Sequence, residues 1–170
     1  MSNRAVRPIR IEGEVAYIPL TQGYEAVIDA ADAPLVEGFN WYALVQVRTV
    51  YACRTDCSTG RHVTIYLHRV LMAAPAGLEV DHRDGHGLNN RKKNLRVATH
   101  AQNERNQRLN SANTSGFKGA SFHAGARRWQ AHIRVDGRRH YLGLFDTPEA
   151  AHAAYTAASA EFHGEFGRTA

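Results

Sequence analysis

Gly77-Leu78-Glu79-Val80-Asp81-His82, then Asn94-Leu95-Arg96-Val97, then Thr99-His100-Ala101-Gln102-Asn103: these three runs decide how the chain is read. The first two are short and apolar-biased, and a polar, glycine-containing loop separates them, so they predict two strands. Thr99 to Gln102 is a capping box. The Thr99 hydroxyl accepts from the Gln102 N–H and the Gln102 side chain reaches back, which predicts a helix running to about Arg108. Strand, loop, strand and helix make a compact unit that can gather Asp81, His82, Asn94 and Asn103 around one point.

Those four residue types suit phosphodiester cleavage. Asp81 is a hard oxygen ligand for Mg²⁺ or Mn²⁺, and Asn103 offers a neutral amide oxygen to the same ion. Such an ion keeps positions for phosphate oxygens and water, and it stabilises charge on the leaving oxygen. His82 is a general base that takes a proton from the attacking water. Asn94 holds the loop or the surroundings of His82. Asp and Asn also form ordinary turns and caps, and any one of these residues alone would read that way; the spacing and the element pattern together favour chemistry. His86 and His100 are alternative bases or ligands, and His68 reads as a structural hydrogen-bonding group. Asn103, Asn106 and Asn110 share a helix face, a polar one where a core-facing helix would be apolar.

Charge points to the same substrate. The chain has 170 residues and a net charge of +5. Residues 83–139 hold 13 Lys and Arg against 3 Asp and Glu, whereas residues 1–80 hold 7 against 8. A basic middle between neutral or acidic flanks is the electrostatic footprint of a nucleic-acid protein. Arg91, Lys92, Lys93 and Arg96 are the expected phosphate contacts, the alternative being a solvated basic surface. The hydrophobic fraction of 44% supports a packed core. No long apolar run or signal-peptide pattern is present, so a soluble, intracellular (cytoplasmic) protein with no membrane partner is expected, a monomer or weak homodimer. Cys53 and Cys57 are the only cysteines; with His62 and His68 they could be drawn as a zinc site, but the spacing is poor and no zinc is expected.

The flanks read as modules. Residues 11–66 carry short apolar stretches (Val15–Leu20, Tyr24–Ile28, Trp41–Val47, Val50–Ala52, Val63–Leu67), which predict a β-rich N-terminal scaffold. Asp32–Glu37 predicts a helical turn, and His68–Ala73 a short helix ahead of Pro75. Residues 109–116 are small and polar and read as a linker. Beyond them, strands are predicted at Phe117–His123, Arg128–Val135 and Arg138–Phe145, with Asp136-Gly137 as a hairpin turn. Thr147-Pro148-Glu149 starts a helix running to about Phe162, with Ala151, Tyr155, Ala158 and Phe162 as its apolar stripe. One sheet face packs on that helix. The other, with Arg128, Gln130, His132 and Arg134, is wide enough to enter a DNA major groove. The fold class is α+β.

Leu67-His68-Arg69, Val80-Asp81-His82, Asn89-Asn90-Arg91, Asn94-Leu95-Arg96, Gln102-Asn103 and Asn106 together resemble the HNH endonucleases of the phage and homing type, over about residues 65–108. The resemblance implies a ββα-metal unit (67–108) that nicks or cuts double-stranded DNA with a divalent ion. It implies Asp81 and Asn103 as metal ligands, His82 as general base and Asn94 as support. The third motif position is Asn here rather than His, and Asn89 stands where the family often has Asp. Residues 113–166 resemble the ethylene-response-factor (APETALA-type) DNA-binding domain, through Ser115-Gly116-Phe117-Lys118-Gly119, Trp129–Arg134, Tyr141–Thr147 and Glu149-Ala150-Ala151. That implies DNA contacts from Lys118, Ser121, His123, His132, Arg134, Arg139 and Tyr141. Ser121, His123, His132 and Tyr141 depart from the plant pattern, so the plant target sequence does not carry over. The rival reading is a DNA-binding regulator with a vestigial nuclease unit.

Overall fold

A computed structural model describes residues 5–106, 109, 112–167 and 169. The chain divides into two compact units, Met1–His100 and Ala101–Ala170. The expected end of the helix near Arg108, and Asn110 with part of the expected linker, lie outside the described residues.

The first unit is built on antiparallel sheets. Strands β1 (Arg10–Glu12), β2 (Val15–Pro19) and β3 (Glu25–Asp29) form one sheet; β4 (Tyr42–Val45), β5 (Val50–Asp56) and β6 (Val63–Tyr66) form a second. Alternation sets their inner faces: Ala16 and Ile18 on β2 and Ala26 and Ile28 on β3 are buried. A 3₁₀ turn at Ala30–Leu35 stands where a helical turn was expected. The run Trp41–Val47 yields a strand only over Tyr42–Val45, because Val47 falls in the turn to β5 and is fully exposed. Helix α1 (Leu67–Leu71) follows β6 directly.

Strand β7 (Glu79–His82) pairs antiparallel with β8 (Leu95–Ala98), Asp81 opposite Arg96 and His82 opposite Leu95. A single core joins this hairpin to the sheets: Ile28, Val36, Trp41, Leu67, Leu71, Val80 and Leu95 all belong to it. Trp41 and Ile28 are wholly buried, and burial of each such side chain stabilises the unit by about 1.5–3 kcal/mol. The buried Trp41 indole donates to the Val36 carbonyl at 3.0 Å. Helix α2 (His100–Arg105) follows β8, and the division between the units falls after its first residue.

In the second unit β9 (Ala120–His123), β10 (Arg128–Val135) and β11 (Arg138–Phe145) form a sheet with β10 in the centre, and α3 (Pro148–His163) packs on it. The Thr147 hydroxyl caps α3 by accepting from the Ala150 N–H. β9 begins three residues later than expected. Gly119 takes a left-handed φ of +79°, and a Cβ there would stand 2.1 Å from the Tyr155 ring, so the turn wraps tightly over α3. The expected stripe on α3 needs one correction. Ala151, Tyr155 and Ala158 are buried, but Phe162 is exposed, and Ser159 and His163 take the inner positions. The buried row follows steps of four (151, 155, 159, 163), which the apolar residues alone do not reveal. No helix among the described residues is long and apolar enough to cross a membrane.

Candidate active site

The loop between β7 and β8 is tied down at its base. The Asn94 amide donates to Asp84 Oδ1 at 2.9 Å and to the Asn89 carbonyl at 2.8 Å, and its Oδ1 accepts from the Asp84 N–H. Asp84 also accepts from Asn89 Nδ2 at 2.7 Å and from the His86 N–H at 2.8 Å. Burial pushes the Asp84 carboxyl up, but these hydrogen bonds outweigh it and hold the group below the usual carboxylate range. Asn94 thus clamps the loop.

The N-terminal sheet holds the loop from outside. The Asn90 N–H donates to the Val27 carbonyl at 2.7 Å, and the Val27 N–H donates to the Leu88 carbonyl at 2.8 Å. Arg91 pairs with Asp29 at 2.7 Å, and Lys92 with Asp32 at 2.6 Å. These two members of the expected phosphate-contact run therefore serve as staples, because carboxylates 62 and 60 positions away in sequence reach them. Lys93 is exposed. Arg96 was expected on phosphates as well, but it is buried against Asp81, its cross-strand partner.

His82 ends β7 in a buried position. Its Nε2 lies 3.2 Å from Asn90 Oδ1, and Asn90 is itself wholly buried. The amide of Asn90 is oriented by its other end, where Nδ2 donates to the Gly87 carbonyl at 3.3 Å. A carbonyl only accepts, so the amide nitrogen faces Gly87 and the amide oxygen faces the imidazole. His82 then carries its proton on Nε2, and Nδ1 holds the lone pair. Burial lowers the His82 pKa, outweighing the hydrogen bond to Asn90 and the nearby Asp84 and Asp81, which raise it. The ring is therefore neutral, as a base must be before it acts. Edge-to-face contact with His68 at 5.1 Å and a tilted contact with Tyr51 at 6.0 Å pack it. His68 is driven down to about 3 by burial, by His82 and by Arg69, and its Nδ1 is buried without a hydrogen-bond partner.

Asp81 adjoins His82 and is equally buried. Arg96 Nη2 and Nε lie 2.6 and 2.8 Å from Asp81 Oδ2. Both contacts fall on one carboxylate oxygen, which fixes the orientation of the other. Asn103 lies on α2, half-buried, in the second unit, and its carbonyl accepts from the Asn106 N–H. Each of the two offers an oxygen donor of the kind that suits a hard ion such as Mg²⁺. Among the described residues no three His, Cys, Asp or Glu side chains gather as a metal group. Of the alternative bases, His86 is exposed, and His100 is exposed with its Nδ1 2.8 Å from Glu79. Cys53 is buried, its thiol pushed up to about 11, while Cys57 is exposed, 3.3 Å from His62 Nδ1.

In the second unit, pairing puts most of the expected DNA contacts on one face. His132 opposes Tyr141, Arg134 opposes Arg139, Ser121 opposes Gln130 and His123 opposes Arg128, and opposed residues share a face. The rings of His132 and Tyr141 meet at 5.3 Å. Arg134, Arg139 and Tyr141 are exposed. His123 Nδ1 accepts from the Ala126 N–H and so supports a turn. Lys118 lies ahead of β9 rather than on a strand, and its Nζ donates to the Arg105 carbonyl at 2.9 Å.

Sequence reasoning did not single out Asn90, which orients the His82 ring, or Asp84, the hub of the loop. Both lie in a stretch that reads locally as turn residues; the Asn89-Asn90 doublet was the only signal.

The chain is similar to known proteins over two stretches. The HNH endonuclease family profile matches residues 62–105. "Protein 3.8" of Escherichia phage T7 is 34% identical over 94 residues, which span 55% of this chain and 77% of that protein. "Uncharacterized HNH endonuclease L560" of Acanthamoeba polyphaga mimivirus is 29% identical over 146 residues, 85% of this chain and 74% of that one. The "AP2-like ethylene-responsive transcription factor TOE2" of Arabidopsis thaliana is 41% identical over 51 residues, 30% of this chain and 10% of that protein. No solved structure matches. With the matched segment spanning α1, the β7–β8 hairpin and its clamped loop, residues 62–105 are an HNH endonuclease domain, in a chain with phage and viral relatives.

Proposed function

We propose that this protein is a metal-dependent endonuclease of the phage or homing type, hydrolysing phosphodiester bonds in double-stranded DNA. The observation that carries the reading is the buried His82, held through Nε2 by Asn90 next to the Asp81 carboxylate. In the proposed reaction His82 Nδ1 takes a proton from the attacking water. Asn90 keeps the opposite nitrogen protonated and the ring in place, and Asn94 keeps the loop closed beneath it. Asp81 and Asn103 would hold a Mg²⁺ or Mn²⁺ ion in a ββα-metal arrangement. Such an ion would stabilise the charge that builds on the leaving oxygen. Arg96 supports Asp81, as carboxylate ligands are commonly held by a second hydrogen-bonding group. Residues 117–166 act as an APETALA-type DNA-binding domain presenting Arg134, Arg139, His132 and Tyr141; the plant relative's name supports that part.

Supercoiled plasmid incubated with and without Mg²⁺ tests the reading. Nicked or linear product should form only with the ion, and His82→Ala should lower the rate by about 10²-fold or more while DNA binding persists. Undiminished cutting by His82→Ala would remove the assignment.

A further inference from the structure

We propose that the β4–β5 hairpin tip is a DNA wedge: Val47 enters between base pairs of the duplex and Arg48 lies against the adjacent backbone. The inference deepens the DNA-endonuclease reading and rests on it. Val45 and Val50 form the last pair of the hairpin, and the Gln46 N–H donates to the Thr49 carbonyl at 2.9 Å. Val47 and Arg48 are therefore the two central residues of a tight turn. Two-residue hairpin turns ordinarily take Gly, Asn or Asp, which adopt positive φ without strain. Neither Val47 nor Arg48 is among the residues with positive φ. The turn is therefore of a kind that accepts ordinary side chains, and Val47 gains no burial from its own chain, being fully exposed at the apex. Val45 beside it is half exposed as well. Isolated exposed valines are common on protein surfaces; this one stands at the apex of a turn that is tied to the active loop.

The tie is direct. Thr49 Oγ1 accepts from the Gly87 N–H at 2.9 Å. Gly87 has no room for a side chain: a Cβ there would stand 2.5 Å from the Val50 carbonyl and 2.7 Å from the Tyr51 ring. Tyr51 in turn packs on His82. The tip and the base are thus fixed in one unit, so a duplex engaged at the tip is held at a set distance from the reacting nitrogen. An apolar apex one side chain wide cannot supply a protein–protein interface, which buries about 800 Å² per partner. It does fit the gap of an unstacked base step, where proteins commonly insert apolar side chains. Arg48 at the same apex matches a polyanion.

The test uses the full chain carrying His82→Ala, in EDTA, with a relaxed closed plasmid and a topoisomerase that needs no metal. An inserted wedge unwinds the duplex, so the plasmid should emerge with a lowered linking number. Val47→Asp on the same background should abolish that change and weaken duplex binding about tenfold or more, the value of one apolar side chain buried. Val47→Leu should preserve both. Circular dichroism of each variant reports folding. Binding without any change in linking number, or a Val47→Asp variant that unwinds like its parent, overturns the wedge. Mg²⁺-dependent nicking by the unaltered protein, run in parallel, judges the nuclease reading separately; if the unaltered protein neither binds nor nicks, both readings fall.

Discussion

Asp81 and Arg96 face each other across β7 and β8, both buried, with Arg96 Nη2 2.6 Å from Asp81 Oδ2. The arginine fixes the carboxylate in the orientation from which it would serve an ion, and it also compensates a charge that the core would otherwise expel. Removing one member of a buried pair leaves the other uncompensated and costs about 3–5 kcal/mol. Arg96→Leu should therefore destabilise the protein by that amount. Urea unfolding checks it. Arg96→Leu combined with Asp81→Leu should recover much of the loss while remaining unable to cut.

Asn90 makes a more selective prediction. Asn90→Leu keeps the volume roughly constant but removes the acceptor at His82 Nε2 and leaves the Gly87 carbonyl unpaired, costing about 1–3 kcal/mol of stability. The larger effect should fall on turnover, with kcat down by about 10²-fold and KM little changed, because the base loses its fixed tautomer. A ¹⁵N spectrum of His82 offers a direct reading: Nε2 protonated in the parent, a tautomer mixture in the variant. A parent spectrum showing the proton on Nδ1 would reverse the assignment of the reacting nitrogen.

These two pairs show what the sequence could and could not reveal. The hairpin was legible because Leu78-Glu79-Val80 and Leu95-Arg96-Val97 alternate and polar residues bound them. The Asp136-Gly137 turn and the Thr147 cap were legible because local chemistry alone dictates them. The partners of the basic residues were not. Arg91, Lys92 and Arg96 read as phosphate contacts, but each meets a carboxylate that only the tertiary fold brings near: Asp29, Asp32 and Asp81. A positional charge excess cannot separate a cation held by its own chain from one offered to DNA. Lys118 illustrates the same blind spot with a backbone carbonyl as the partner.

Stability should fall on acidification before the carboxylates titrate. His68 titrates at about 3 in the folded chain, against about 6.5 when unfolded. Its folded value is depressed, so no penalty exists above pH 6.5, and stability is lost as pH falls from about 6.5 towards 3, while only the unfolded chain takes up the proton. His82 is lowered as well and adds in the same direction. His68 contributes a slope of up to about 1.4 kcal/mol per pH unit within that window. His68→Phe keeps an aromatic ring against His82 and should flatten the slope between pH 6 and 4. Denaturation midpoints at those two pH values measure it, and an unchanged slope would show that His68 is not neutral in the folded chain.

The same lowering bears on activity. Catalysis by neutral His82 should persist below pH 6.5, so the acid limb of the kcat profile should have its midpoint under that value. Plasmid nicking followed across pH at saturating Mg²⁺ checks this, and a midpoint at or above 6.5 would contradict a buried base.

The outward sheet face of the second unit makes the last prediction. Arg134 and Arg139 are cross-strand partners and both exposed, at the end of β10 and the start of β11. His132 and Tyr141 form the neighbouring opposed pair, whose rings touch. Two guanidinium groups projecting side by side repel each other in the absence of an anion, an arrangement that a phosphate or a base edge relieves. Arg134→Ala and Arg139→Ala should each weaken duplex binding by about 1–3 kcal/mol if the side chain reads a base. If it meets only a phosphate, the loss should be uniform across sequences, with the salt slope falling by about one. Stability should be almost unaffected, because neither group is buried. Anisotropy titrations of the full chain at two salt concentrations separate these outcomes, and His82→Ala in the same assay serves as the control for cutting. If the double variant binds duplex like its parent at both salts, this face does not hold DNA, and the basic excess of residues 83–139 must act elsewhere.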